Sequence, residues 1–155
     1  MNLHLVAFGH RMPDWVSAGW VDYARRLPRE FALELVELRP EPRDRGKPLP
    51  QLLAAEAVRI AAACTNARVI ALDEHGAPWT TRMLAETLSR WRDEARDAAL
   101  VIGSADGLAD IVKRNAAAVV ALSALTLPHG LVRVVVAEQL YRATSLLAGH
   151  PYHRE

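Results

Sequence analysis

AALVIGSADGLADIVKRNAAAVVALSALTLPHG, running from Ala98 to Gly130, carries the alternation that decides the fold. Ala98 to Ile102 is an apolar run of strand length. Gly103-Ser104-Ala105-Asp106-Gly107 reads as a turn, Leu108 to Arg114 as a short helix, and Val119 to Leu122 as a further buried strand. Ser123 to His129 is then an apolar loop that meets a proline, and a long helix is expected from about Leu131 to Leu147.

The same rhythm extends toward the N-terminus. Leu3 to Phe8 reads as a strand. Pro13 to Arg26 reads as a helix, with Pro13 in a tolerated first-turn position and Val16, Trp20, Tyr23 and Leu27 on one face. Leu33 to Leu38 is a second strand, Arg39 to Pro50 a charged, proline-rich loop, and Gln51 to Ala63 a helix. Val69 to Leu72 is a short buried strand and Asp73 to Pro78 a loop. Thr80 or Thr81 can cap a helix that runs to about Arg92. Such alternation predicts an α/β fold built on a mostly parallel sheet. No repeat, low-complexity tract or linker interrupts it, so residues 1–155 read as a single domain.

Of the 155 residues 51% are hydrophobic, which excludes a disordered chain and permits a real core. The lone Cys64 cannot form an internal disulfide and reads as a small buried hydrophobe in an Ala-rich helix. Met1-Asn2-Leu3-His4 has no basic region ahead of an apolar run, so no signal peptide is expected. The longest apolar stretch, Ala116 to Leu127, is too short to span a bilayer. A soluble cytoplasmic protein without a membrane partner is therefore expected. The 19 basic residues, nearly all Arg, are nearly matched by 18 acids, so charge alone neither selects nor excludes an RNA partner.

In open parallel sheets, ligands sit beyond the carboxyl ends of the strands. That rule selects the loops after Leu72, Ile102 and Leu122. Gly103 to Gly107 can let a backbone approach a ligand closely, or can be a plain strand-to-helix turn. It is neither a Walker A loop nor G-x-G-x-x-G, which leaves a dinucleotide-binding oxidoreductase weakly supported. Leu122-Ser123-Ala124-Leu125-Thr126-Leu127-Pro128-His129 can offer backbone polar groups from an apolar wall, as suits an adenine ring, or can be a buried connection. Glu138 and Arg142 stand at i and i+4 on the long helix, either as a surface ion pair or as a carboxylate and guanidinium facing a substrate. The tail crowds His150, Tyr152, His153 and Arg154 together. His150 and His153 have no further ligands nearby, so no metal is expected. Ser123 and His129 lack the G-x-S-x-G elbow of a hydrolase.

Leu122 to His129, Leu131-Val132-Arg133-Val134, Ala137-Glu138, Leu140-Tyr141-Arg142-Ala143 and His150 to Glu155 closely resemble the C-terminal signature of the RlmH family. Met12-Pro13-Asp14-Trp15, Arg45-Gly46-Lys47, Leu72-Asp73 and Pro78-Trp79 also resemble that family, from end to end of the chain. The resemblance implies a SPOUT-type parallel sheet with a C-terminal trefoil knot, contrary to the general rarity of knots. It implies a homodimer whose active sites lie at the interface. It further implies transfer of a methyl group from S-adenosylmethionine to N3 of a pseudouridine, position 1915 in the usual numbering, of 23S large-subunit rRNA on the assembled 70S ribosome.

By position, the resemblance assigns the methyl donor to Leu72, Gly103, Gly107, Leu122, Ser123, Ala124, Leu125, Thr126 and Leu127. It assigns catalysis to Glu138, Arg142, Tyr152, His153 and Arg154, and RNA contact to His129 and Arg133. Glu138 and His153 are both candidate acceptors for the N3 proton. The chain departs from the Gly-Gly-Pro-Glu-Gly of many relatives at Ser104-Ala105-Asp106, where Ser104 adds a side chain close to the expected donor. Gly130 stands where some relatives have proline, which is expected to loosen the start of the long helix. A ribosome-associated binding protein without catalysis is the remaining alternative.

Overall fold

A computed structural model of the chain describes residues 1–153, the last of them through its backbone alone. Five strands form one parallel sheet: β1 (Asn2–Phe8), β2 (Ala32–Leu38), β3 (Arg68–Pro78), β4 (Ala98–Ile102) and β5 (Ala118–Ala121), in the order β2-β1-β4-β3-β5. Central strands that are covered on both faces need continuous apolar sequence. β4, Ala-Ala-Leu-Val-Ile, is buried at every residue.

The alternation of side chains along each strand sorts the core into two layers. Leu3 and Leu5 of β1, Ile70 and Leu72 of β3, and Leu100 and Ile102 of β4 face one side. There they meet Trp20 of α1 (Asp14–Ala24), Leu88 and Trp91 of α3 (Thr81–Asp93), and Val136 and Leu140 of α5 (His129–Leu147). Val6, Ala71, Ala99 and Val101 face the other side, against Ala57 and Ile60 of α2 (Leu49–Ala63) and Val112 of α4 (Asp110–Asn115). Cys64 is buried at the end of α2, and burial pushes its thiol up to about 11. Among the described residues no helix is long and apolar enough to cross a membrane.

Three sequence boundaries are corrected. Asp73 to Pro78 is not a free loop but the second half of β3. The strand leaves the ladder after Leu72 and rejoins it at Ala77, both residues pairing with Val120 of β5. Gly76 makes this possible: a Cβ there would lie 2.6 Å from the Val120 nitrogen, so no larger residue fits. The bulge throws Asp73, Glu74 and His75 out of the sheet. Secondly, α4 begins at Asp110 rather than Leu108, because Leu108 turns inward to the core.

Thirdly, α5 begins at His129, with Pro128 preceding it in an extended conformation. Gly130 does not loosen this start. It brings α5 against α1, where an added Cβ would stand 3.1 Å from Val16. Gly19 of α1 makes the reciprocal approach to Val134. Of the two threonines offered as caps for α3, Thr80 does it, its Oγ1 accepting from the Met83 amide at 3.1 Å.

Candidate active site

The carboxyl ends of β3, β4 and β5 enclose a cavity of about 470 Å³. Three chain segments form its walls: the β3 bulge, the turn after β4 and the loop after β5. The loop after β5 is shaped locally. Ser123 Oγ accepts from the Leu125 amide at 2.9 Å, and Thr126 Oγ1 donates to Glu74 Oε2 at 3.3 Å, tying this loop to the bulge. Leu125 is left 75% exposed, an apolar side chain at the rim that is uncovered among the described residues.

Of the residues expected at a donor, Leu72, Gly103, Gly107, Leu122, Ser123, Leu125, Thr126 and Leu127 line this cavity. Ala124 is exposed and does not. The reason for Gly103 differs from the one expected. Its missing Cβ would collide with the Gly107 backbone at 2.5 Å, so the glycine closes the turn on itself rather than admitting a ligand. Gly107 has φ of +82°, which favours glycine, and nothing lies within 4 Å of a Cβ there. Ser104 does not crowd the cavity with a free hydroxyl, because its Oγ donates to Glu56 Oε2 at 2.7 Å.

The electrostatics of the lining were not legible in the sequence. Asp73, Glu74 and Asp106 stand against one ammonium group, that of Lys113, with His75 and His129 also present. Lys113 Nζ lies 3.4 Å from Asp73 and Arg43 Nη2 3.1 Å from Asp106, which leaves Glu74 as the carboxylate without a Lys or Arg partner among the described residues. The rule for parallel sheets selected the loop that holds Asp73, Glu74 and His75, but not the pairings that leave Glu74 open.

A second cluster lies further along α5. Glu138 Oε1 accepts from Arg142 Nε at 2.8 Å, from Arg142 Nη2 at 2.5 Å and from the Tyr152 hydroxyl at 3.2 Å. Its Oε2 accepts from Gln139 Nε2 at 2.8 Å. The Arg142 guanidinium also lies over the Tyr152 ring, 4.9 Å from its centre, and that ring packs on Tyr141 at 4.5 Å. The carboxylate beside Arg142 raises its already high pKa. Burial, then Tyr23 and Glu138, push the Tyr152 hydroxyl well above its ordinary value, so it stays protonated. This is more than the exposed i, i+4 pair that spacing alone allows. His153 lies in the last short turn, Pro151–His153, with its side chain outside the described residues, as is all of Arg154.

His129 is exposed at the first turn of α5 and lines the cavity. Arg133, by contrast, is enclosed. It is 2% exposed, with Nη1 donating to Glu37 at 2.8 Å and Nη2 to the carbonyls of Phe8 and Gly9 at 3.0 and 2.8 Å. A guanidinium so enclosed fastens α5 to the ends of β1 and β2 and has no face left for phosphate. The RNA contact that the resemblance assigns to Arg133 would require the side chain to leave these partners.

Residues 1–153 match the family described as "Predicted SPOUT methyltransferase". Over 155 residues the chain is 53% identical to ribosomal RNA large subunit methyltransferase H of Nitrosospira multiformis and 52% identical to that of Burkholderia mallei, covering 99% of each chain in both comparisons. Among solved structures it is similar to a probable methyltransferase from Bordetella pertussis Tohama I, with TM-score 0.58, 20% identity, and coverage of 91% of this chain and 95% of that one.

Proposed function

The chain belongs to the SPOUT methyltransferase family and, within it, to the RlmH family, and from that premise we propose that it transfers a methyl group from S-adenosylmethionine to N3 of a pseudouridine in 23S large-subunit rRNA on the assembled 70S ribosome. Membership also implies the trefoil knot of that class. The observation that carries the reading is the cavity at the carboxyl ends of β3, β4 and β5, in a chain this similar along its whole length to large-subunit rRNA methyltransferases. A cytoplasmic, metal-free enzyme acting as a homodimer completes the proposal.

The cavity fits the donor on chemical grounds. Its loop Leu122 to Leu127 is largely apolar and would hold the adenine ring, with backbone groups available for the ring edge. The Glu74 carboxylate, which has no Lys or Arg partner among the described residues, favours a cationic ligand over a neutral one. When bound, the donor supplies a methyl group already activated by its sulfonium. What remains for the protein is to align the pseudouridine and to manage its N3 proton. Alignment can supply several kcal/mol of the barrier.

Glu138 and His153 are the candidate proton acceptors. Glu138 Oε1 is occupied by Arg142 and Tyr152, whereas Oε2 accepts only from Gln139 and keeps a lone pair that could take the proton. Arg142 and Arg154 would stabilise charge on the base or hold phosphate, and Tyr152 would stack on the base. His129, at the mouth of the cavity, would meet RNA.

Val132 lines the cavity, whereas Glu138 lies six residues further along α5, about 9 Å along the axis at the usual rise. Glu138, Arg142 and Tyr152 do not line the cavity of their own chain. A site in which one copy holds the donor and the other presents this cluster removes the difficulty.

The test uses isotopically labelled S-adenosylmethionine with ribosomes that lack the modification, free large-subunit RNA in parallel, and mass spectrometry to locate the methyl group. Methyl on one pseudouridine, transferred only on assembled ribosomes, is expected. Donor binding with no transfer to either RNA would refute the activity and favour a binding protein.

A further inference from the structure

The proline-rich loop between β2 and α2 lies outside the cavity, yet it is wired into the cavity's wall. Arg43 is the junction. Its Nε and Nη2 both donate to Asp106 Oδ2, at 3.2 and 3.1 Å. Nη2 also donates to Ser104 Oγ at 2.8 Å, and Nη1 donates to the Glu41 carbonyl at 2.6 Å and to Glu56 Oε1. All three guanidinium nitrogens are thus engaged, two of them on the turn that follows β4.

Glu56 gives this wiring its significance. It projects from α2 and is 2% exposed. A carboxylate buried that deeply is costly unless it is fully paired. Its Oε1 accepts from Arg43 and from the Glu41 amide, at 3.0 Å for the latter, and its Oε2 accepts from Ser104 at 2.7 Å. A buried charge is therefore held directly behind Ser104 and Asp106, two residues that line the cavity.

We infer that Arg43, with Glu56, is a positioning device for the donor: it fixes the Gly103–Gly107 turn in the shape that S-adenosylmethionine requires. Neither Arg43 nor Glu56 lines the cavity, so both act through Ser104 and Asp106. The inference rests on the reading of that cavity as the donor site. It also accounts for the Ser104 side chain within the turn. Its hydroxyl is not a burden on the donor but the link through which Glu56 reaches the turn.

Planarity matters here. The guanidinium presents several donors in a fixed fork, whereas a lysine ammonium presents a single point of charge. Arg43→Lys keeps the charge opposite Asp106 and loses the fork. Ser104→Ala alters no charge at all and removes the Ser104 link. Arg59→Met serves as the control: Arg59 Nη2 holds the same loop through Glu41 at 2.5 Å, without touching the turn.

Steady-state methylation by the full-length enzyme, with donor and ribosome varied separately, tests the inference. Arg43→Lys and Ser104→Ala should each raise the donor KM about tenfold, and the donor dissociation constant with it, leaving kcat and ribosome KM within about twofold of wild type. Arg59→Met should leave the donor KM unchanged. Thermal unfolding is recorded for every variant. An unchanged donor KM in Ser104→Ala, or donor affinities that fall in proportion to melting temperature across all three variants, overturns the inference. Wild-type protein that binds no donor at all would instead refute the donor reading, and the inference with it.

Discussion

Glu138 holds three side chains in one cluster. It accepts from Arg142, Tyr152 and Gln139, so its charge organises the cluster even before any proton moves. Glu138→Gln keeps the shape and removes the charge. Donor affinity, measured by calorimetry, should stay within about twofold, whereas single-turnover methyl transfer should fall by about a hundredfold. Full-rate transfer by this variant would remove Glu138 from the mechanism. A second residue-scale prediction concerns acid. Burial alone would raise the Glu56 carboxyl, but Arg43, Ser104 and the Glu41 amide together outweigh it and hold the group below the usual carboxylate range. A depressed folded-state value contributes stability above the unfolded pKa and loses it as pH falls through the folded one. Glu56→Gln should therefore be less stable than wild type near neutrality. The gap should narrow below about pH 4, as followed by urea unfolding across pH. A gap that stays constant would mean that the Glu56 charge is not linked to folding.

At the scale of elements, the β3 bulge forms one wall of the cavity, and one glycine permits it. Gly76→Ala would drive a Cβ into the Val120 backbone, which cannot move aside as a side chain can. A loss of about 3 kcal/mol in urea unfolding is expected, with weakened donor binding in the fraction that still folds. Stability equal to wild type would mean that β3 and β5 are not paired as described. The strands and helices themselves were legible because buried parallel strands need uninterrupted apolar sequence, as at Ala98 to Ile102, and their order along the chain follows from it. The bulge was not legible. Asp73-Glu74-His75 is polar and looks like a loop, and the close approach that holds it comes from Val120, far away in sequence. The burial of Arg133 was not legible either, because its partners Phe8, Gly9 and Glu37 come from the other end of the chain. Conversely, the three loops that line the cavity were selected from topology alone, since ligands gather at the carboxyl ends of parallel strands.

At the scale of the whole molecule, the surface suggests a second copy. Trp15 on α1 is 59% exposed, Val21 is exposed further along the same helix, and Leu125 stands open at the rim of the cavity. Large apolar groups that gather into one exposed patch mark an interaction surface. Sedimentation at working concentration should give a dimer, and Trp15→Glu should shift it toward monomer and lose methyl transfer. A wild-type monomer that methylates at full rate would contradict the shared site. The proposed shared site would join the two clusters of α5, because Glu138, Arg142 and Tyr152 do not line the cavity of their own chain.

Methyl transfer to ribosomes by a mixed dimer tests this most directly. One chain carries Leu127→Arg, which fills the cavity and repels a cationic donor, and the other carries Glu138→Gln. Each variant alone should be inactive. The purified mixed dimer should recover about half of the wild-type rate, because one of its two composite sites is intact. A mixed dimer as inactive as its parents would mean that each chain works with its own Glu138, and the account of a site shared between two copies would be wrong.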